Sequence, residues 1–468
     1  MLRNLTLTLL AASALSACTL APATVRPTLA VDNAWPIAAA NTGPTAATDL
    51  GWREVFVDPR LQGVIELSLS NNRDLRVAVL NIEKARAQYR VQRAALLPGV
   101  DATATGTRGQ SSSAQVIAGG DRTVEVYTAG VGVTSYELDI FGRVRSLKDA
   151  ALQSYLATRE TSRAVQISLI AQTANSWLAL AADQDLLALS RDTLSTREES
   201  LRLTRSRFDA GAANQLDLRQ AETLAETARS DVATFIAQVE QDKNALRLVV
   251  GADVPADLLP AGGLVTAQIL PDLPAGLPSD VLVRRPDVLA AEHQLAGANA
   301  NIGAARAAFF PSITLTGSTG VASNSLGSLF DSGNGSWSFA PRISLPIFNG
   351  GANVANLDSA KASRDIAVAT YEKTVQTAFR EVADGLAVQS TIQDRVGSQE
   401  RLVAAANDTV RLSRARYGAG IDSSLTLLDA QRTLYASQQG LIGARLARAT
   451  NLATLYKALG GGAPAAAN

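Results

Sequence analysis

The sequence predicts a mixed α/β membrane protein in which amphipathic strand hairpins alternate with helices far longer than a globular core accommodates. Three observations lead there. The chain is written twice, with a repeat of about 210 residues; each copy holds an alternating extended stretch after a proline; and each then runs on in helix-forming residues almost free of glycine and proline. With 468 residues, 43 basic and 43 acidic, there is no charge bias toward nucleic acid. A single cysteine rules out any disulfide within the chain, so stability must come from packing or assembly.

The first element is a signal peptide, expected over residues 1–17. Arg3 precedes a short apolar stretch, Leu5 to Leu10, and then small residues, too brief to cross a bilayer as a helix. Leu15-Ser16-Ala17-Cys18 resembles the lipobox of bacterial lipoproteins, which implies cleavage before Cys18 and a diacylglycerol and an N-acyl chain on that residue. The plainer reading is an ordinary cysteine near a leader. Thr19 is not aspartate, which in the sorting rule that accompanies the lipobox favours the outer membrane. Residues 18–59 are then expected to be an extended segment leading from the anchor.

The repeats follow. Arg207-Phe208-Asp209-Ala210-Gly211 matches Arg416-Tyr417-Gly418-Ala419-Gly420, Leu96-Leu97-Pro98 matches Phe309-Phe310-Pro311, and Leu138-Asp139-Ile140-Phe141-Gly142 matches Leu345-Pro346-Ile347-Phe348-Asn349. The first repeat is placed at 60–250 and the second at 286–462. Between them the proline- and glycine-rich stretch 251–285 reads as a connector, and 463–468 as a disordered tail.

Within each repeat a helix stops before Pro98 or Pro311, because the residue before proline is driven from the α region. Hairpins are expected at about 100–138 and 312–346. Trp337, Phe339, Pro341, Ile343 and Leu345 fall on one strand face, with Ser336, Ser338, Ala340, Arg342 and Ser344 on the other. The partner stretch Ile313 to Ser318 alternates likewise, across a loop expected from Thr319 to Gly335; in the first copy Asp101 to Thr107 and Val124 to Leu138 flank a loop from Arg108 to Arg122. Light apolar faces rich in Gly, Ala and Ser suit a transmembrane barrel, and four strands cannot close one, since a free backbone edge in lipid costs several kcal/mol. Either the hairpins are soluble sheet or several chains share a barrel.

Long helices come next, at about 143–250 and 352–459. Arg143 to Phe208 holds neither proline nor glycine and would reach roughly 100 Å as one helix. The second copy is interrupted by Gly385 and also holds Gly397, and each turns back at an Ala-Gly pair into a return helix. Such antiparallel pairs imply coiled-coil packing.

At this point the sequence resembles the outer membrane factor family, in the lipoprotein branch of TolC-like efflux channels, from Cys18 to Gly462. The marks are Val283-Arg284-Arg285-Pro286-Asp287, Ala308-Phe309-Phe310-Pro311-Ser312-Ile313, Leu345-Pro346-Ile347-Phe348, Arg416-Tyr417-Gly418-Ala419-Gly420, Leu427-Leu428-Asp429-Ala430-Gln431-Arg432 and the closing Asn451 to Gly462. The resemblance implies a homotrimer, each chain giving four strands to a 12-stranded β-barrel in the outer membrane and long antiparallel helices to a periplasmic α-helical barrel. It implies a passive duct, without catalytic residues or cofactor beyond the lipid, that takes drugs and other small molecules from a periplasmic adaptor (membrane fusion) protein and an inner-membrane transporter.

The resemblance also places a periplasmic gate at Leu425, Asp429 and Arg432. Their spacing of four and three puts them on one helix face. Around a threefold axis Leu425 would form an apolar collar, and Asp429 and Arg432 would form contacts between helices that break on opening; otherwise the pair is an ordinary solvated one. The matching residues of the first repeat, Leu216, Gln220 and Thr223, carry no charged pair. The turns marked by Arg207, Gly211, Arg416 and Gly420 are expected to contact the adaptor, or to be no more than good helix caps. His293, the sole histidine, has no cysteine or second histidine to share a metal and reads as structural. The rival readings are a duct for type I protein secretion and a structural periplasmic coiled-coil lipoprotein.

Overall fold

The computed structural model describes residues 19–23, 25–27, 31–32, 34–36, 51–110, 123–266, 282 and 284–461. The expected signal peptide, Cys18, most of the expected connector and the expected tail lie outside them. In chain order the helices and strands are α1 (Trp52–Val55), α2 (Pro59–Asn71), α3 (Arg73–Ala94), β1 (Val100–Gln110), β2 (Thr123–Leu138), α4 (Arg143–Asp209), α5 (Gln215–Val250), α6 (Gly263–Thr266), α7 (Pro286–Ala307), β3 (Ser312–Ser323), β4 (Gly335–Ser344), α8 (Ala352–Gly418) and α9 (Ser424–Ala458). No helix among the described residues is long and apolar enough to cross a membrane.

The chain divides into two compact units. The first comprises Met1–Thr28, Asn81–Arg159 and Ala290–Glu372. It holds an antiparallel four-stranded sheet in the order β1-β2-β3-β4. The sequence reading paired strands only within each hairpin; the structure also joins the hairpins, β2 to β3, with Tyr127 opposite Ser323 and Leu138 opposite Ile313. Beside this seam Gly130 faces Gly320, and a Cβ on Gly320 would sit 2.2 Å from the Ala129 carbonyl oxygen, so glycine is what lets the backbones approach. A bulge between Val133 and Tyr136 puts Ser135 at φ 54, the left-handed region.

β3 runs to Ser323, beyond the expected start of its loop, because Thr319 to Val321 still pair with Trp337 to Gly335. β1 likewise reaches Gln110, with Arg108 opposite Glu125, where a loop was expected from Arg108. The two outer strands, β1 and β4, are exposed along their whole length. Trp337, at 81 % exposure, and Phe339 and Ile343 stand on one face of β4.

Local chemistry fixes where α4 begins. Asp139, from the Leu-Asp-Ile-Phe-Gly motif, accepts from the backbone N–H groups of Val144 and Arg145 at 3.0 and 2.8 Å, and Phe141 stacks on Phe310 at 4.8 Å. His293 Nδ1 meets Gln153 Oε1 at 2.7 Å. The segment following Cys18 is held by this unit as well: Thr19 Oγ1 lies 3.4 Å from Ser146 Oγ, Arg306 donates to the Leu20 carbonyl at 3.0 Å, and Arg26 grips Glu292 with a two-toothed ion pair.

The second unit comprises Leu29–Leu80, Glu160–Leu289 and Lys373–Asn468. Its core gathers Phe56, Leu61, Ile65, Trp177, Leu178, Leu180, Leu246 and Leu455, all under 2 % exposed. Trp177 Nε1 donates to the Leu258 carbonyl at 3.0 Å, so the one polar atom of that ring is satisfied. Gly385 does not interrupt α8. A Cβ there would come within 2.5 Å of Leu455, so the glycine is a notch for a core side chain of α9. Arg285, of the Arg-Arg-Pro-Asp motif, is 5 % exposed and donates to Asp287, Glu381 and the Ala458 carbonyl at 2.7, 2.8 and 2.5 Å. Burial by itself lowers the pKa of this guanidinium, but the Asp287 and Glu381 carboxylates more than offset that and hold it above its ordinary value. That motif therefore has a structural role, tying α7, α8 and the end of α9.

Candidate functional site

The two repeats end their long outgoing helices with the same backbone device. At the end of α4 the Ala212 N–H reaches the Arg207 carbonyl at 2.7 Å and the Gly211 N–H reaches that of Phe208 at 2.9 Å. At the end of α8 Ile421 bonds Arg416 and Gly420 bonds Tyr417, both at 3.0 Å. Gly211 and Gly420 have φ of 73° and 74°, as this double-bonded stop requires. Arg207, Gly211, Arg416 and Gly420 thus all act in the caps.

Side chains tie the two turns together. The Arg207 guanidinium lies over the Tyr417 ring, 5.3 Å from its centre. Arg416 grips Asp422 with both nitrogens, at 2.7 and 2.8 Å; each holds the other ionised, the arginine above and the aspartate below its ordinary value. Ser424, the first residue of α9, donates to Asp217 near the start of α5. Three turns farther along, the Tyr435 hydroxyl donates to Asp231 at 3.1 Å and lies 3.3 Å from Ser190 Oγ.

Between these ties the opening turns of α9 have two faces. Leu425, Asp429 and Arg432 lie on the exposed face. Leu425 is 59 % exposed, and Arg432 donates to Asp429 at 2.8 Å, a contact within one helix. An exposed pair of this kind contributes about 0 to 1 kcal/mol. The opposite face, with Ser424, Leu427, Leu428 and Gln431, lines a cavity of about 320 Å³, completed by residues of α4, α5 and α8 such as Leu203, Ala221 and Tyr417.

Two polar atoms in this region have no hydrogen-bond partner within the chain: Arg197 Nη1 on α4 and Gln431 Oε1 on α9. Both residues are more than nine-tenths buried. Burial, with repulsion from Arg432, pulls the Arg197 guanidinium below its ordinary pKa. In the sequence Gln431 stands inside a repeat motif and Arg197 within a long helical run, with nothing along the chain that marks either as buried. A polar residue on a long polar helix looks solvated until the neighbouring helix is known.

A further half-buried pair was not legible either. The Asp183 carboxyl of α4 is pushed up to about 7 by burial and by a hydrogen bond to Asp242 of α5. Gln238 donates to Asp242 Oδ1 at 3.1 Å, while Oδ2 is buried and has no donor unless Asp183 keeps its proton. Among the described residues no group of three or more histidines, cysteines and carboxylates is arranged to hold a metal.

Among the described residues the arrangement is one of helix caps, a two-faced helix start and an open pocket beside it. Comparison with known proteins agrees with a transport role. The family described as outer membrane efflux protein matches residues 64–252 and 277–461. A curated relative, the probable efflux pump outer membrane protein TtgC of Pseudomonas putida, is 49 % identical over 452 residues, 96 % of this chain and 93 % of its own length. A membrane protein crystal structure from Pseudomonas aeruginosa superposes with a TM-score of 0.89 at 42 % identity, covering 94 % of this chain and 100 % of the other. The open state of the Neisseria gonorrhoeae MtrE outer membrane channel gives 0.87 at 42 % identity, covering 95 % and 98 %.

Proposed function

This chain belongs to the outer membrane efflux protein family, and from that premise we propose that it is the outer-membrane channel of a tripartite efflux system. In this reading three copies assemble, each contributing its four strands to a twelve-stranded barrel in the outer membrane and its long helices to an α-helical barrel in the periplasm. A periplasmic adaptor and an inner-membrane transporter deliver drugs or other small molecules, and the transporter supplies the energy. The repeats 60–250 and 286–462 are the two halves of each subunit's contribution, and the connector 251–285 lies in a girdle around the helices.

The single observation that carries the assembly is the open sheet. β1 and β4 are its two edges, exposed throughout, with Trp337, Phe339 and Ile343 uncovered. A sheet in lipid must have no unpaired edge, so β4 of one copy pairing with β1 of the next satisfies both rows of backbone groups at once. The exposed apolar side chains then face hydrocarbon.

Cys18 is the lipid anchor, with a diacylglycerol and an N-acyl chain on it. Its neighbours Thr19 to Ala21 pack on the same unit that holds the strands, which supports an anchor directed to the membrane. The caps at Arg207, Gly211, Arg416 and Gly420 meet the adaptor. Leu425, Asp429 and Arg432 form the gate at the periplasmic mouth, where Asp429 and Arg432 exchange their contact within one helix for contacts between copies. Wet pairs of this strength hold a passage shut yet yield to a bound partner.

Deletion of the gene in its own host, with pump and adaptor intact, tests the reading. Minimum inhibitory concentrations of hydrophobic antibiotics and solvents should fall and should recover on complementation. Unaltered resistance together with loss of an exported protein would transfer the duct to type I secretion.

A further inference from the structure

Alternation along the edge strands sorts their side chains onto two faces of the sheet. One face carries Trp337, Phe339 and Ile343 of β4 and Ala102, Ala104 and Gly106 of β1. The other is rich in hydroxyls, two pairs of which meet across strands: Thr105 Oγ1 lies 2.6 Å from Thr128 Oγ1, and Ser318 Oγ 2.8 Å from Ser338 Oγ. On this polar face each edge strand bears a single charge, Asp101 at the start of β1 and Arg342 near the end of β4. Both sit at the helix-joined end of the sheet, away from the turns of the hairpins. No ion pair among the described residues uses either one. Glu137, the carboxylate two strands from Arg342 on the same face, is held instead by Arg143 at 2.9 Å.

Two antiparallel edges can meet in many registers. A slip of one residue would set the apolar face of one copy against the polar face of the next, so only every second register is open. Of these, a single one pairs every residue of β4 with the described part of β1, from Gly335 opposite Gln110 of the next copy to Ser344 opposite Asp101. There the large side chains of β4 meet small ones of β1, Phe339 facing Gly106 and Ile343 facing Ala102. The same register sets a tilt. The row through Asp101 runs by Gly132 and Ser318 to Ser338 and then meets Thr107 of the next copy, six residues farther along β1. That is a climb of about 20 Å over four strand spacings of about 4.8 Å, so the strands lean by about 45°, as transmembrane strands do.

We propose that copies of this chain join in this one register, and that Arg342 of one copy and Asp101 of the next form an ion pair across the seam that holds it. Arg342 stands opposite Thr103 and Asp101 opposite Ser344, so neither charge faces a like one. The two are diagonal neighbours on one face, about 7–8 Å apart at the backbone, a span that an arginine side chain covers. Sliding the edges by two residues one way parts the charges; sliding them the other way leaves Ser344 without a partner in β1. The inference rests on the assembly proposed above and adds what that leaves open, namely which residues meet and what selects them.

Cross-linking and gel stability of the full-length, lipidated protein in detergent test it. Cysteine pairs at Thr105 with Ala340 and at Ala102 with Ile343 lie directly opposite across the seam, one on each face. Within one chain these positions are on opposite edges of the sheet, so any disulfide joins copies. At least one pair should give covalent trimers on non-reducing gels after boiling, and pairs displaced by two residues, such as T107C/A340C, should not. D101R and R342D should each lower the temperature at which the oligomer comes apart, and the two together should bring it back toward wild type. Should a reversed variant not assemble, Asp101→Asn and Arg342→Gln decide, since their losses should not add. A trimer that links only at displaced positions, or at none, overturns the register; losses that add overturn the ion pair. Both results leave the assembly standing. A species of one chain that links at no pair removes the assembly and this inference together.

Discussion

Arg285, buried, and Asp183, half-buried, are ionisable groups handled in opposite ways. Arg285 is surrounded: two carboxylates and a carbonyl accept its protons, and it remains a cation. Replacing it with alanine should destabilise the protein by about 2–3 kcal/mol, toward the low end for breaking a buried pair, because Asp287 and Glu381 are about one-third exposed and recover water. Arg285→Lys should recover only part of this, since a point charge cannot reproduce the fork. Thermal unfolding of the purified protein measures both. Asp183 instead faces another carboxyl, and its folded pKa of about 7 stands above the model-compound 3.8. The unfolded chain releases this proton first, so the stability Asp183 contributes is full below about pH 4 and is lost as pH rises to about 7. The Tm of Asp183→Asn should therefore match wild type near pH 4 and exceed it increasingly up to pH 8. A gap that does not change with pH would show that no proton is shared.

At the scale of elements, the helix stops were legible and the strand partners were not. Arg-Phe-Asp-Ala-Gly and Arg-Tyr-Gly-Ala-Gly mark two turns because a left-handed residue must follow the last helical one, and only glycine adopts it freely. Gly420→Ala should cost about 1 kcal/mol, seen as faster amide exchange over the last turn of α8 and the first of α9. Gly385 shows the limit of that reading. A glycine read as an interruption serves as a notch for Leu455, a residue the sequence does not place beside it. The β2–β3 seam is the same kind of case, joining strands that belong to different repeats. Gly320→Val should break this seam, since its Cβ would collide with the Ala129 backbone; heat-stable oligomer on gels should disappear, and its survival would mean the seam tolerates a side chain.

For the whole molecule, the proposed assembly yields two measurements. The mass of the detergent-solubilised protein should be three times that of the chain from Cys18 onward, plus lipid, and a species of one chain would leave the edges of β1 and β4 unexplained. Metabolic labelling with palmitate should mark wild type and not Cys18→Ser; label retained on the variant would mean that the anchor lies elsewhere. The family resemblance read from the spaced motifs is borne out by the relatives and by the solved channels.

What the sequence determined alone is whatever depends on neighbours along the chain: the duplication, the alternation in the strands, the helix runs, their capped ends and the family they mark. These follow from backbone sterics and from a period of two or of 3.6 residues, which a linear string carries in full. Only the tertiary structure decided that the hairpins share one sheet, that Arg285 is a clasp, that Asp183 meets Asp242, and that α9 begins beside an open pocket lined by α4, α5 and α8. Each of these joins residues far apart in the chain, whose side chains look like ordinary solvated positions until folding takes the water away.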